Sequence, residues 1–384
     1  LNFKANIASS ENANNALFQK RFERFRDWTT LADKRDDRIK NSMEFFNAVV
    51  FVQETNEDIT THNEFADTNI HFYAIGNIGD SKKTDATRAY DPNDPYEFTL
   101  EITDYDNDLS AFPANVYFKV TEPTDAEIGT YYELSDGQYT KTADQTVNTA
   151  KTYYFNALEK EQYDDSYNYD IRYGSGTSAA DVWPNFYKMV TRPLTGANGQ
   201  DDQDLVAQWK KDFKNWFVLD SAIYFYLYTL RYTMIDNRAK NTFWHYAKTG
   251  EYLTVKNPEE KYKDDYYTIT DGEYKLIDPT TFSTSGTYYR PERKFDFWAY
   301  DMDSAEGIDN RGELTMSYGV EEMDKDESGS YYFRAGNSTF FTRLAKCFAD
   351  EMVTAYNKIE AWNAENLIAE FDTWQEQFPE ELWR

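Results

Sequence analysis

The spacing of apolar residues changes along the chain, and each change marks an element. Residues 1–5 (LNFKA) read as a short strand. Leu17, Phe18, Phe22 and Phe25 then share one stripe, which predicts an amphipathic helix over 10–28. Ile39, Met43 and Phe46 continue a helical period before the run Val49, Val50, Phe51, Val52, whose β-branched side chains favour a strand. A second strand is predicted over 71–75 (HFYAI), with Gly76-Asn77-Ile78-Gly79-Asp80 as a turn behind it. Residues 97–103 and 115–121 alternate as strands do, so the first third is mixed α and β.

The last half is mainly helical. Leu205, Trp209, Phe213 and Trp216 follow a helical spacing, and residues 221–234 (SAIYFYLYTLRYTM) are apolar nearly all round, which predicts a deeply buried helix. Phe341, Leu344, Ala345, Phe348, Met352, Tyr356 and Ile359 form one more amphipathic helix. A last one carries Leu367, Ile368, Phe371, Trp374 and Phe378 and is stopped by Pro379. Between the two halves, the Tyr- and Asp-rich stretch reaching to about residue 182 reads as loop.

One segment occurs twice. Residues 131–154 (YYELSDGQYTKTADQTVNTAKTYY) and 266–289 (YYTITDGEYKLIDPTTFSTSGTYY) have equal length, Tyr-Tyr at both ends and Asp-Gly in the same place. Asp136-Gly137 and Asp271-Gly272 suit two-residue hairpin turns, because such turns need positive φ. Each copy reads as a small β-hairpin with aromatic cross-strand pairs. Two separated copies do not make a solenoid; they read as a decoration inserted twice into one host fold.

Charge and rare residues narrow the chemistry. The chain has 384 residues, with 40 basic and 68 acidic side chains and a formal net charge of −28. That balance argues against direct nucleic-acid binding and against docking on an anionic membrane. No apolar run is long enough to insert in a bilayer, and no targeting segment is evident. Residue 1 is Leu, so the expectation is a processed chain or a piece of a longer one. A single cysteine, Cys347, leaves no internal disulfide or Cys-based zinc site and reads as a core thiol. With three separated histidines (His62, His71, His245), any chemistry falls to carboxylates, Asn and Lys.

Two stretches fit such chemistry. After the buried helix comes Asp236-Asn237-Arg238-Ala239-Lys240-Asn241, an Asp-x-x-x-x-Asn spacing. In kinase catalytic loops that spacing gives a base for the substrate hydroxyl and a metal ligand. Further on, Phe297-Trp298-Ala299-Tyr300-Asp301-Met302-Asp303 reads as an apolar strand ending in two acids, where Mg²⁺ could bridge carboxylates and phosphate. Solvated turn acids and a capping Asn are the plainer reading of both. Asp104-x-Asp106-x-Asp108 and Asp324-x-Asp326-x-Ser328-Gly329 lack residues of a complete EF-hand loop and read as solvated acidic turns.

In order and spacing, Asp220, Asp236, Lys240, Asn241, Asp301 and Asp303 resemble the CotH family, the spore-coat protein-kinase-like fold; Phe3-Lys4-Ala5-Asn6 resembles its first strand. The resemblance covers about residues 1–80 and 205–320. It implies an α+β, bilobal kinase-like scaffold with a β-rich N-terminal lobe, a helix-rich C-terminal lobe and the two Tyr-rich hairpins inserted. The implied segments are 1–125 (N-terminal lobe), 126–158 (first hairpin), 159–255 (helical lobe with the catalytic loop), 256–292 (second hairpin) and 293–384 (the Asp-Met-Asp strand and last helices). It further implies Asp236 as catalytic base, Lys4 and Lys240 as ATP contacts, and Asn241, Asp301 and Asp303 as Mg²⁺ ligands. Against this, 59 residues separate Asn241 from Asp301, no Gly-rich loop precedes Lys4, and Trp298 is not adjacent to Asp301. A pseudokinase that kept the fold without turnover meets these departures.

The Tyr-Tyr-bounded Asp-Gly-x-Tyr units look like modules of tailed-bacteriophage tail proteins, and residues 71–85 resemble phage structural proteins. This second resemblance implies a virion-located structural protein: a tail, knob or fibre component needing no cofactor. It would assemble with itself and other tail proteins, in contact with the host cell surface. An active protein kinase using ATP and Mg²⁺ is the alternative expectation.

Overall fold

A long antiparallel ladder organises the protein. Strand β8 (Thr242–Val255) pairs with β11 (Tyr288–Ala299), from Ala299 opposite Thr242 to Tyr288 opposite Val255. In this computed structural model the described residues are 2–4, 17–18, 21–22, 45–53, 70–79, 91, 93–102, 132–135, 138–141, 169–174, 176–190, 192–232, 234, 237, 242–300, 302, 305, 339–358 and 364–376.

Six strands form the main sheet, in the order β10-β9-β11-β8-β4-β7, with β4 at Phe98–Ile102, β7 at Tyr169–Gly174, β9 at Tyr267–Thr270 and β10 at Glu273–Leu276. Every pairing in it is antiparallel. A separate three-stranded sheet has the order β1-β3-β2, from Asn2–Lys4, Ile70–Gly79 and Phe45–Gln53. The third sheet is the hairpin of β5 (Tyr132–Ser135) and β6 (Gln138–Lys141).

Helices cover one face of the main sheet. They are α1 (Gly176–Val190), α2 (Gln203–Trp216), α3 (Leu219–Arg231), α4 (Thr339–Cys347), α5 (Ala349–Lys358) and α6 (Ala364–Gln375). Asp202 caps α2 by accepting from the Asp204 and Leu205 amides, an arrangement that satisfies donors left over at a helix start. The buried face of α3 is as wide as its composition predicts, from Ser221 through Thr229.

The core between helices and sheet is aromatic. Phe217, in the short link between α2 and α3, stacks on Phe213 at 4.6 Å and lies within 5.8 Å of Phe186, Trp244, Phe295, Phe297 and Phe340. The next amide, that of Val218, donates to the Phe295 carbonyl at 3.0 Å, so the link is also fixed to β11 through the backbone. Leu17, Phe18, Arg21 and Phe22 are helical and buried; Tyr228 donates to the Phe18 carbonyl, and Arg21 donates to Tyr232 and Glu370. Cys347 is buried, and that burial raises its thiol pKa.

Several expectations are corrected. Phe46 lies in β2, opposite Ile78, and not on a helix. Gly76–Gly79 continue β3 and do not turn, because β3 is the middle strand and pairs with β1 and β2 on its two sides. Tertiary pairing of this kind overrides the weak strand preference of Gly and Asn. The stretch read as loop up to residue 182 contains β7 and the start of α1. The helix expected over 341–359 is two helices that meet at Phe348, whose buried ring packs on Trp209 and Phe213. The strand predicted over 115–121, both acidic turns and Pro379 lie outside the described residues. The main sheet mixes strands from both sides of the expected segment boundaries, and β11 runs across the one at 292/293.

Replacing Phe217 by Ala should cost ~3–5 kcal/mol, because the vacated volume is enclosed by rings that cannot all move in. Denaturant unfolding should show this loss with an unchanged m-value; a loss below ~1 kcal/mol would show that the link is not the centre of the core.

Candidate functional site

The β8–β11 stem has two ends, and both carry chemistry. At the first end, the segment entering β8 meets the segment leaving β11. Asn237 is buried, and its Nδ2 donates to the Tyr300 carbonyl at 2.6 Å. The Thr242 hydroxyl donates to the Asn237 carbonyl, and Phe243 packs edge-on against Tyr300 at 5.4 Å. Met302 and Ala305 turn back into the main core. Asn237 Oδ1 is buried and accepts no hydrogen bond.

The 59 residues between Asn241 and Asp301 include the whole stem. Those residues run out along β8 and return along β11, so the described neighbours of the two motifs meet. The motif residues Asp236, Lys240, Asn241, Asp301 and Asp303 themselves lie outside the described residues. Lys4 is on β1, opposite Asn77, and its side chain is outside them too. Among the described residues, no three His, Cys, Asp or Glu side chains gather where a metal ion could sit.

Between its ends the stem bends. Strand β8 holds extra residues between Lys248 and Tyr252, where β11 has Arg293 and Pro291 in register. Gly250 sits within this bulge with φ 85°, a conformation open to a residue without Cβ. Before the bulge both faces of the stem are buried; beyond it β8 is largely exposed. On the face away from the helices, His245 Nε2 lies 2.8 Å from Glu97 Oε1, and both side chains are buried. Asp296 stands directly across from His245 in the ladder.

The second end bears the second Tyr-Tyr segment, called the module below. Asp271 (φ 57°) and Gly272 (φ 82°) form the turn between β9 and β10, both in the left-handed region that a two-residue hairpin of this kind requires. The first Tyr-Tyr segment likewise pairs Ser135 with Gln138 across a two-residue connection.

Ion pairs fix the second module to the stem. Arg293 is buried, and its guanidinium donates to both oxygens of Asp94 and both of Asp265, at 2.6–3.3 Å. Arg290 adds a bond to Asp265 at 2.7 Å, and Lys248 reaches Asp94 at 3.1 Å. Burial alone would raise the Asp94 pKa, but Arg293, Lys248 and the Tyr96 amide outweigh it and leave the carboxyl below its ordinary value. Burial opposes the charge on Arg293 as well; Asp265 and Asp94 outweigh it and raise the guanidinium pKa.

A signal for this anchor is present in the sequence. Asp264-Asp265 precede the second Tyr-Tyr segment and Arg290 and Arg293 follow it, whereas the first copy lies between Gly129-Thr130 and Phe155-Asn156. Sequence reasoning set the two copies side by side for their likeness and passed over this difference.

Between the 3-10 helix Glu260–Asp265 of the module and α1 lies a cleft of about 370 Å³. Its walls include Tyr96, Asp181, Asn185, Trp216, Tyr246 and Tyr262. Asp181 accepts from Lys261 at 2.6 Å and from the Tyr262 hydroxyl, and the Arg290 guanidinium lies 3.6 Å from the centre of the Tyr262 ring. Tyr246 is held between Phe98 and Phe295, and burial pushes its phenol up to about 12.

No protein-family model matches the chain, and no curated protein matches it. Among the described residues, no helix is long and apolar enough to cross a membrane.

Arg293→Ala would leave two buried carboxylates without their main partner, and should lower the unfolding free energy by ~3–5 kcal/mol; chemical denaturation measures it. The pH dependence has a defined sign. Because folding lowers the Asp94 pKa, its contribution is complete above the ordinary value of 3.8 and is lost as pH falls through the depressed one. Asp94→Asn should therefore narrow the gap in stability between neutral pH and pH values below 3.8; an unchanged gap would show that Asp94 does not contribute.

Proposed function

We propose that this chain is a structural component of a bacteriophage tail, a tail, knob or fibre protein. Its scaffold is CotH-like and bilobal, and the inserted hairpins make its contacts with copies of itself, other tail proteins or the host cell surface. The observation that carries this reading is the mounting of the second hairpin. A buried ion-pair cluster holds its base, while Ile269, Tyr274 and Leu276 remain 48%, 42% and 53% exposed. Tyr274 stacks on Tyr252 at 3.8 Å, so the aromatic face is ordered before any partner arrives. Preordered aromatic surface loses little side-chain entropy on contact, which suits an assembly or adhesion surface. The net charge of −28 also fits, since an acidic surface does not adhere to packaged DNA.

A second reading, an active kinase, is favoured by the first end of the stem. There the strands bring the flanks of both acidic motifs together, as Mg²⁺- and ATP-dependent phosphoryl transfer would need. By resemblance Asp236 would serve as base, Asn241, Asp301 and Asp303 would hold the metal, and Lys4 and Lys240 would contact the nucleotide.

Mass spectrometry of purified particles from a producing culture should find the protein in the virion, with antibody labelling on the tail. Recovery only as a free monomer, absent from particles, overturns the tail reading. The kinase reading predicts Mg²⁺-dependent ATP binding that Asp301→Ala abolishes, and fails if the unaltered chain binds no ATP.

A further inference from the structure

The cleft between α1 and the module is assigned by neither reading above. Its position has a physical basis, because small-molecule sites form where two structural units meet and leave a partly apolar concavity. At about 370 Å³ it is at the small end of the usual range of ~300–1,000 Å³. Four of its eleven lining residues are aromatic, Tyr96, Trp216, Tyr246 and Tyr262, and most of the others are polar or charged.

Charge decides what could enter. A cation would seek the tyrosine faces, but resident cations already stand over those of Tyr262 and Tyr96. The Arg290 guanidinium lies 3.6 Å from the Tyr262 ring centre, and Lys261 Nζ lies 4.6 Å from it. An anion would seek Lys261 and Arg290, but Asp181 neutralises the first at 2.6 Å and Asp265 the second at 2.7 Å. Glu259 adds another carboxylate to the lining, and the net charge of −28 repels anions further. The cleft is therefore matched to a neutral guest.

Uncommitted polar groups show what kind of guest. The Asn185 side chain makes no hydrogen bond among the described residues and lines the cleft from α1, with both donor and acceptor to offer. Packing of Tyr246 against Phe98 and Phe295 fixes its ring, and its hydroxyl has no hydrogen-bond partner. The Glu259 carboxylate is largely exposed and has only a 3.4 Å contact with Lys261. Trp216 supplies aromatic surface beside these groups. Flat apolar surface next to separate donors and acceptors complements a sugar ring, whose C–H face stacks while its hydroxyls form hydrogen bonds.

We infer that the cleft is a binding site for a neutral saccharide, with Trp216 taking the ring face and Asn185, Tyr246 and Glu259 its hydroxyls. This inference goes beyond the tail reading and does not depend on it.

The test titrates the full chain with methyl glycosides of glucose, galactose, mannose, fucose and N-acetylglucosamine. Binding is read by calorimetry and saturation-transfer NMR, with choline chloride and sodium phosphate as charged comparators. At least one glycoside should bind saturably, in competition with neither comparator. Asn185→Ala and Tyr246→Phe should each weaken it by about five- to tenfold, the loss expected for one hydrogen bond. Both changes remove a polar group that bonds to nothing in the protein, so thermal unfolding should stay as it is in the unaltered chain. The inference is overturned if no glycoside binds, if choline or phosphate displaces the sugar, or if binding is the same in both variants.

Discussion

The antiparallel pairing of β8 with β11 is the constraint on which the rest depends. It gives the sheet its two longest strands and offers Phe295 and Phe297 to the helices. It also returns the chain to its starting point, so that Asn237 can bond to Tyr300 across a long sequence interval. Without that ladder Asn237 would not meet Tyr300, and the second hairpin would have no base. Backbone hydrogen bonds set this geometry, which leaves the side chains free to specialise on either side of the bulge at Gly250.

Two kinds of interaction hold the halves of the stem. The half before the bulge is secured by aromatic packing, with Phe217 at the meeting point of helices and sheet. At the bulge charge is added: Arg293 bridges Asp94, from the turn before β4, and Asp265, from the module. A buried guanidinium is tolerable only because two carboxylates surround it in fork geometry. That cluster binds the second hairpin to the stem with a directional contact, where so small a unit has little apolar surface to bury. The cleft beside α1 follows from this attachment, since the module supplies Tyr262 and Lys261 to one of its walls.

An acidic chain thus buries some of its cations together with the acids that neutralise them, as Arg293 is with Asp94 and Asp265. Arg21 follows the same rule at another site, buried between Tyr232 and Glu370. Tyr274 of the second hairpin is the complement of this arrangement, an exposed ring beyond the bulge.

The sequence by itself determined the local elements whose signals are short-range. The α2 and α3 helices follow from apolar period, and the Asp271-Gly272 turn from the need for positive φ. It also marked Asp236–Asn241 and Asp301–Asp303 as the motifs of interest, through spacing and resemblance. Tertiary structure decided what depends on partners distant in the chain. Gly76–Gly79 became a strand because two neighbours bonded to it, and Arg293 found Asp94 although 199 positions separate them. The cleft was beyond any reading of the sequence, since its lining is gathered from α1, the end of α2, the stem and the module. Local torsional preference is written in neighbouring residues, whereas a cavity or an ion-pair cluster exists only once the chain has closed on itself.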